Sequence, residues 1–456
     1  MPQVASTTGW MLIFLAPVFM QRLFIGGEAL SYDELSGVPL TALGYLSHVL
    51  ILVGYIGRQA SLTVSRRHFL RFAGLCAVSA IHAAFLIVEQ PVGFDNAVLA
   101  MARQLVWILA CFAILGMSTP EDLLQKLVDF THFSFAIVVV TYTLYLTTGL
   151  TLQILLSGGM PRAQALLSEP SGFGCLLAGY VGLAVHLKKW RRLMAAAIVA
   201  FMAYSVIGIL GFLVGLVTGL GSRSITSPRG RFMLSAFLIL LMPIMLVVLP
   251  LAAEPISKFA HTMLVTFSGT SLEAFPLYQG FGQRILEAAS MLDTGVKNVS
   301  AGDNLSGGGL FRFTSVLLLL QQLVQSGHIW FGYGIGAHSQ LMLANNESLL
   351  DFGLFPLLIS SFGIAGTVVV FGWLVMVLGK ARGALASYAV PFTVIACINS
   401  AGGIHMYSVV LVAALFLERL DRGRLQPGIP LRQHFSSSQP SLPATASPTA
   451  AAGDAT

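Results

Sequence analysis

Long apolar runs dominate the pattern of hydrophobic and polar positions along the chain. A run of about 18 residues or more is long enough to cross roughly 30 Å of hydrocarbon as a helix. Such runs recur from near the first residue to beyond residue 360, and polar connections separate them. They predict a series of membrane-crossing helices at 9–26, 39–57, 72–89, 97–116, 128–149, 169–187, 232–252 and 363–379.

Two further apolar stretches, 193–220 and 385–417, do not fit a single crossing each. The first holds 28 residues, roughly 42 Å of helix at about 1.5 Å per residue, too long for one crossing and short for two. We predict two short helices that fold back near Ser205 to Gly208, a re-entrant pair packed inside protein. The second stretch is predicted to divide at 399–403. The predicted fold is therefore an all-α polytopic membrane protein with about 12 transmembrane helices.

Composition supports the membrane assignment. The chain of 456 residues is 56% hydrophobic and only 10% charged. A soluble domain carries about 25% charged residues, so this chain cannot cover a surface that faces water. The net charge of +6 would suggest nucleic acid as a partner of a soluble protein. Here the placement of the charges matters more, and no nucleic-acid partner is predicted.

The distribution of Lys and Arg predicts the orientation. Cytoplasmic loops of membrane proteins collect these residues. Of the 25 Lys and Arg, 18 lie in six segments that we therefore place in the cytoplasm together with both termini. The predicted location is the bacterial inner membrane, multi-pass, and the segments are 58–71, 117–127, 188–192, 221–231, 380–382 and the tail from 419.

One predicted loop is far longer than a connection requires. It covers 253–346, 94 residues, and is predicted to be periplasmic, with interfacial helices such as one at 310–324. It divides the chain into an N-terminal group of transmembrane helices at 1–252, the loop, and C-terminal transmembrane helices at 347–420. The last part, 421–456, is rich in Ser, Pro and Ala and is predicted to be a disordered cytoplasmic tail.

Few Lys and Arg fall on the predicted outer face, and those few are candidates for binding anions. Thirteen of the 19 carboxylates lie there against five basic residues. Arg162, Arg284 and Arg312 suit a phosphate or diphosphate headgroup, because guanidinium binds phosphate oxygens in a bidentate fork. The alternative is that each arginine snorkels or pairs with a carboxylate. Arg103, inside the fourth helix, either contacts a headgroup or holds helices together.

Two residues are candidates for proton transfer. Glu169 lies just before an apolar helix, and ionisable residues at membrane depth are functional hypotheses by default. Its alternative role is that of an acidic residue in the first turn of a helix. His338 follows a glycine-rich turn and is either a general base or a loop histidine with a structural role. No Walker motif, HExxH, CxxC or Asp-x-Asp motif occurs, so no metal or cofactor is predicted and an ATP-driven pump is disfavoured.

The layout, together with several short motifs, resembles a known family. The features are Arg162 and Glu169-Pro-Ser, the short helix pair, Arg312 ahead of Trp330-Phe-Gly-Tyr-Gly-Ile-Gly, and Gly363-Ile-Ala-Gly366. From about residue 20 to 420 the chain resembles the O-antigen polymerase/ligase superfamily, bacterial glycosyltransferases of the GT-C type.

The resemblance implies an activity and a substrate. Two outward arginine-bearing loops are the hallmark of Wzy-type polymerases, and that role falls on Arg162 and on Arg284 or Arg312. Such an enzyme joins undecaprenyl-diphosphate-linked oligosaccharide repeat units into O-antigen, capsule or exopolysaccharide at the periplasmic face. The resemblance also implies a metal-independent, inverting transfer in which Glu169 or His338 takes the proton. Membrane lipid, a chain-length regulator and a flippase of the same pathway are the implied partners.

Two other functions remain open from the sequence. An O-antigen ligase would transfer glycan from the lipid carrier to lipid A or protein, and it typically places a histidine where His338 lies. A transporter of lipid-linked oligosaccharide would show two similar halves with broken helices in matching positions. The pair at 193–220 has no evident counterpart in the first half, which favours catalysis.

Overall fold

The computed structural model of the chain describes its central and late helices and parts of its loops. The described residues are 22–25, 28–31, 120–157, 160–163, 170–203, 205–225, 229–241, 319–320, 322–334 and 354–398, with single positions at 227, 244 and 415 and a few helical positions between 46 and 109. Predictions that concern other residues stay predictions.

Six helices and two short β-hairpins make up the described elements, in the order β1–β2–α1–β3–β4–α2–α3–α4–α5–α6. Residues 229–241 are helical as well. The bounds are β1 Arg22–Ile25, β2 Glu28–Ser31, α1 Pro120–Thr148, β3 Ile154–Ser157, β4 Met160–Ala163, α2 Pro170–His186, α3 Trp190–Ala203, α4 Val206–Ser224, α5 Leu354–Lys380 and α6 Ala384–Ile398.

The described helices are those of a membrane protein. Three of them are long and apolar enough to cross a bilayer, at Leu123–Thr148, Ile207–Ser224 and Leu354–Gly379. Two shorter apolar helices accompany them, at Phe173–His186 and Ala384–Cys397. These five agree with the predicted runs in this part of the chain. The total of twelve helices and the placement of the 253–346 loop stay predictions.

Within the run 193–220 the chain folds back between two helices, and the predicted re-entrant pair stays a prediction. α3 ends at Ala203 and α4 begins at Val206. Between them Ser205 is extended, with φ −118° and ψ 130°, and it is buried. The 14 residues of α3 are about 21 Å long, so this helix is too short to cross roughly 30 Å of hydrocarbon.

The fold-back makes α2 and α4 parallel neighbours in close contact. A Cβ on Gly211 would strike the carbonyl oxygen of Gly174, and a Cβ on Gly215 would lie 2.5 Å from the carbonyl oxygen of Ala178. The next position along α4, Gly219, would place its Cβ 3.0 Å from the carbonyl oxygen of Gly182. Small residues at every fourth position on both helices therefore let the backbones approach, as in other membrane helix pairs.

α2 is the centre of the bundle. Every residue from Phe173 to Val185 is buried, as expected for a helix that is apolar all round. α6 runs antiparallel along another side, where Gly182 faces Ser387 and Pro391, and Gly179 faces the ring of Tyr388. α1 adds ring contacts between Phe135 and Phe173. α1, α2 and α6 share one apolar core.

These directions give the bundle two distinct ends. At the basic end, α2, α4 and α5 finish while α1, α3 and α6 begin, and the Lys and Arg of 188–192, 223–231 and 380–382 lie there. At the opposite end, which we call the hairpin end, α1 leads through β3 and β4 into α2. Which end faces the cytoplasm follows from the charge rule alone.

The all-α prediction is wrong in one respect, because the chain also forms two antiparallel hairpins. Residues 22–25, which fall in the apolar run predicted as the first helix, form a strand paired with 28–31. β3 pairs with β4, with Ser157 opposite Met160. In each case the two residues between the paired ends are Gly-Gly, a dipeptide that two-residue hairpin turns favour. At 22–25 the Gly-Gly turn therefore determined the local structure more than the length of the apolar run did.

Candidate functional site

Arg162 lies on a hairpin that is inserted into the core. In β4 it stands between Pro161 and the fully buried Ala163, and it pairs in register with Leu155 of β3. Ile154, the partner of Ala163, is also fully buried. The hairpin contacts α1 and α3.

The Arg162 side chain is half-buried at this position. A guanidinium held at the edge of an apolar core interacts more strongly with an anion than one in open water, because the local dielectric is lower. β1 contacts β3, so the backbone of Arg22 lies at the same end of the bundle. The other predicted site residues, Arg103, Glu169, Arg284, Arg312 and His338, lie outside the described residues.

A second feature at the hairpin side is a break in α5. Gly363 has φ 62° and ψ −166°, which interrupts the helix nine residues after Leu354. This region of backbone space is essentially restricted to glycine. A break leaves backbone N–H and C=O groups without their helical hydrogen bonds. Inside a membrane such groups are tolerated only where they are buried in protein or line a water-filled cavity.

A turn from the end of the predicted long loop satisfies these groups. The N–H of Tyr333 donates to the Ser360 carbonyl at 2.7 Å, and the N–H of Gly334 donates to that of Ser361 at 3.0 Å. In return, the second half of α5 donates to the turn through two backbone N–H groups, Ile364 to Ile329 at 2.8 Å and Ala365 to Trp330 at 3.1 Å. We call residues 328–334 the docked turn.

Glycine is required on both sides of this contact. Gly332 has φ +70°, and its Cβ would lie 2.6 Å from backbone atoms of Ser360 and Phe362. A Cβ on Gly363 would strike the backbone of Trp330 and Phe331. The docked turn thus lies directly against the break, and the motif Trp330-Phe-Gly-Tyr-Gly and the motif Gly363-Ile-Ala-Gly366 form one structural unit.

Polar side chains with unused hydrogen-bonding capacity gather at this unit. Ser361 is 2% exposed, and its hydroxyl has no hydrogen-bond partner among the described residues. Nδ1 of His328 is buried without a partner in the same part of the chain. Tyr333 packs beside the His328 ring at 5.1 Å and hydrogen-bonds to Ser326 at 2.8 Å. Unsatisfied buried groups often mark a ligand position.

Replacing Ser361 with alanine is expected to raise stability. The hydroxyl loses no partner, and removing an unsatisfied buried polar group stabilises by about 1 kcal/mol. Thermal unfolding of the purified protein in detergent measures the change. The matched control is Ser360→Ala, because Ser360 is equally buried and donates to the Leu357 carbonyl at 3.0 Å. A fall in melting temperature for S361A as large as for S360A would contradict the idea that Ser361 is unsatisfied.

Both motifs of this structural unit are visible in the sequence. The sequence did not predict that they meet or that α5 is broken. A polar pair, Ser360-Ser361, followed by glycine inside an apolar run was the available signal. The hairpin that carries Arg162 was signalled by Gly158-Gly159. Among the described residues, no group of three or more His, Cys, Asp or Glu is arranged to hold a metal ion.

The hairpin end therefore holds a half-buried arginine on an inserted hairpin and a broken helix with a docked turn. Both arrangements place polar groups within an apolar bundle, which is typical of a site for a substrate with a charged headgroup and an apolar tail. Comparison with known proteins identifies no relative: no family model matches the chain, and no curated protein or solved structure matches it significantly.

Proposed function

We propose that this protein is a polysaccharide polymerase that joins undecaprenyl-diphosphate-linked repeat units at the periplasmic face of the bacterial inner membrane. In this proposal the hairpin end faces the periplasm, and both termini lie in the cytoplasm. The substrate has three parts: an apolar polyprenyl chain, a diphosphate, and a sugar. A site for it needs lipid access, a cation near the headgroup level, and a loop that covers the sugar.

The docked turn is the observation that carries the proposal. It attaches residues 328–334, in the last part of the 253–346 segment, to the bundle at the break in α5. A catalytic loop must be held in register with the membrane-embedded part of its substrate, since misplacement by about 1 Å can reduce a rate about 100-fold. Four backbone hydrogen bonds and two close glycine contacts supply such an attachment.

The proposed reaction moves a glycan from one lipid carrier to another. The acceptor sugar hydroxyl attacks C1 of the donor sugar, and the bond from C1 to the diphosphate oxygen breaks. The electron pair leaves with the undecaprenyl diphosphate, whose negative charge Arg162, Arg312 and Arg284 stabilise, with Arg103 as a further candidate contact. Glu169 or His338 takes the proton of the attacking hydroxyl, and the anomeric centre inverts. Stabilisation of developing charge usually contributes more to such catalysis than any other effect.

Analysis of lipid-linked glycans tests this function. Deleting the gene in its host is expected to leave single repeat units on undecaprenyl diphosphate outside the inner membrane, with polymer lost. Complementation with Arg162→Ala is expected to restore at most about a tenth of the polymer, because a charge-assisted contact to phosphate is worth about 1.5–3 kcal/mol. Arg162→Lys should recover part of it, and Glu169→Gln tests the proton acceptor in the same assay.

Other outcomes would reassign the function. Full-length polymer that stays on its lipid carrier would mean a ligase acting on lipid A or protein. Normal polymer in the R162A strain, with the variant present in the membrane at wild-type level, would remove Arg162 from the site. Membrane abundance is therefore measured for every variant by immunoblot of washed membranes.

A transporter of the same lipid is the second candidate, because a long apolar helix is interrupted within its length. α5 is broken at Gly363. Transporters use such discontinuous helices at their substrate sites. Repeat units trapped on the cytoplasmic leaflet after deletion would favour transport, whereas units exposed outside favour the polymerase.

A further inference from the structure

A cavity at the basic end is separate from the site described above. Its volume is about 60 Å³, room for a group of the size of about four to six water molecules at 10–15 Å³ each. It lies where α2, α4 and α5 finish and α6 begins. Small residues such as Gly379, Ala381, Gly383 and Ala386 line part of its wall and leave the space open. The polar residues that line it are His186, Thr218, Ser222, Arg231, Ser235, Arg382 and Ser387.

The stretches that wall this cavity carry charge of one sign. The stretches that wall it, 170–241 and 354–398, contain nine Lys and Arg and no Asp or Glu. All nine fall in the three basic clusters at this end. Arg231 and Arg382 line the cavity from different segments, and His186 lines it as well. The excess of positive charge in these stretches favours an anion over a cation as the occupant.

Three of the four hydroxyl groups that line the cavity donate to carbonyl groups of their own helices. Thr218 donates to the Val214 carbonyl at 2.8 Å, Ser222 to Gly219 at 2.8 Å and Ser387 to Gly383 at 3.0 Å. Their protons are thus engaged within their own helices. Nδ1 of His186 is buried without a hydrogen-bond partner among the described residues. The cavity therefore offers two guanidinium groups and one unused imidazole nitrogen.

We propose that this cavity binds a phosphate group, which Arg231 and Arg382 hold by hydrogen bonds to its oxygens. Two arginines that line one cavity from different elements can donate to separate oxygens of a phosphate. Leu234, Leu378, Val390 and Pro391 also line the cavity, so a phosphate attached to an apolar body fits beside them. The phosphate belongs either to an anionic lipid of the adjacent leaflet or to a soluble phosphate compound. This inference does not depend on the proposed polymerase activity.

Two binding measurements on the purified full-length protein distinguish these sources. Native mass spectrometry after mixing with phosphatidylglycerol or phosphatidylcholine reports lipid binding. Thermal unfolding in detergent with added inorganic phosphate or pyrophosphate, against chloride at equal ionic strength, reports soluble ligands. Preference for phosphatidylglycerol identifies the lipid headgroup, and a melting shift with phosphate or pyrophosphate identifies a soluble ligand. Either result supports the phosphate site.

Variants connect the binding to this cavity. Arg382→Gln is expected to weaken binding about tenfold, the effect of losing one charge-assisted contact. The matched control is Arg229→Gln, since Arg229 is an exposed arginine of the same end that does not line the cavity. It should change binding less than about twofold. Arg231→Gln, checked for folding by size-exclusion chromatography, is the second variant. Equal losses in R382Q and R229Q, or binding of neither probe by the wild type, would overturn the proposal.

Discussion

Replacing Gly363 with alanine is expected to abolish polymer synthesis while the protein remains in the membrane. At φ 62° and ψ −166° an alanine is strained by about 1–3 kcal/mol. Its Cβ would also strike the backbone of Trp330 and Phe331, and backbone cannot rotate away as a side chain can. The docked turn must therefore leave the break, and its four backbone hydrogen bonds to α5 are lost. Each contributes about 1 kcal/mol, and more where the freed groups stay buried.

The measurement combines polymer length in the host with limited proteolysis of isolated membranes. A displaced turn exposes 326–334 to protease, so cleavage there should become faster in G363A. Gly372→Ala is the matched control, because it lies in the same helix and a Cβ there meets nothing within 4 Å. Wild-type polymer from G363A would show that the docked turn is dispensable for function, and equal losses in both variants would mean a general effect on α5.

The variant Gly215→Val is expected to reduce the amount of folded protein severely. The Cβ alone would lie 2.5 Å from the Ala178 carbonyl oxygen, and 2.9 Å from the Cβ of Val181. α2 is buried on all sides, so it cannot shift away from α4 without disturbing its contacts to α6 and α1. Overpacking of this kind destabilises by about 1–3 kcal/mol in cores that can relax, and a backbone contact leaves little room to relax.

Fluorescence-detected size-exclusion chromatography after heating measures this effect. Gly208→Ala, two turns earlier on α4, is the control, because the nearest atom to its Cβ is the Ser205 Cβ at 3.5 Å, an ordinary contact. G208A should keep the wild-type elution profile and melting temperature. If G215V also kept both, the close parallel packing of α2 against α4 would be wrong.

The length of the apolar runs predicted the helices well where burial and lipid exposure act alike. The runs at 128–149 and 169–187 correspond to α1 and α2, and the run 193–220 is divided between α3 and α4 at Ser205. Hydrophobicity alone could not reveal the hairpins, since β1 and β3 are mostly apolar and the Gly-Gly pairs are what indicate a turn after them. The sequence likewise could not predict the parallel contact of α2 with α4, because that contact depends on small residues that face each other from separate segments.

The candidate site was predictable in parts. The excess of carboxylates over Lys and Arg on the predicted outer face indicated Arg162 as a candidate. Its position on an inserted hairpin was not predicted. The break at Gly363 depends on a backbone conformation that the docked turn stabilises, so neither motif read alone could predict it. The basic-end cavity arises from small residues and arginines of four segments, which are distant in sequence. Predictions about Arg103, Glu169, Arg284, Arg312 and His338 remain predictions.

The shortness of α3 has a consequence for the surrounding bilayer. Met194, Ile198 and Phe201 form an exposed apolar stripe along this helix, so lipid meets a wall of about 21 Å instead of roughly 30 Å. Such hydrophobic mismatch is relieved by local thinning, at a fraction of a kcal/mol per Å. Lipid headgroups beside α3 are then drawn several ångströms toward the hairpin. A lipid-linked diphosphate would reach the depth of Arg162 along this side of the protein with less of its apolar tail exposed.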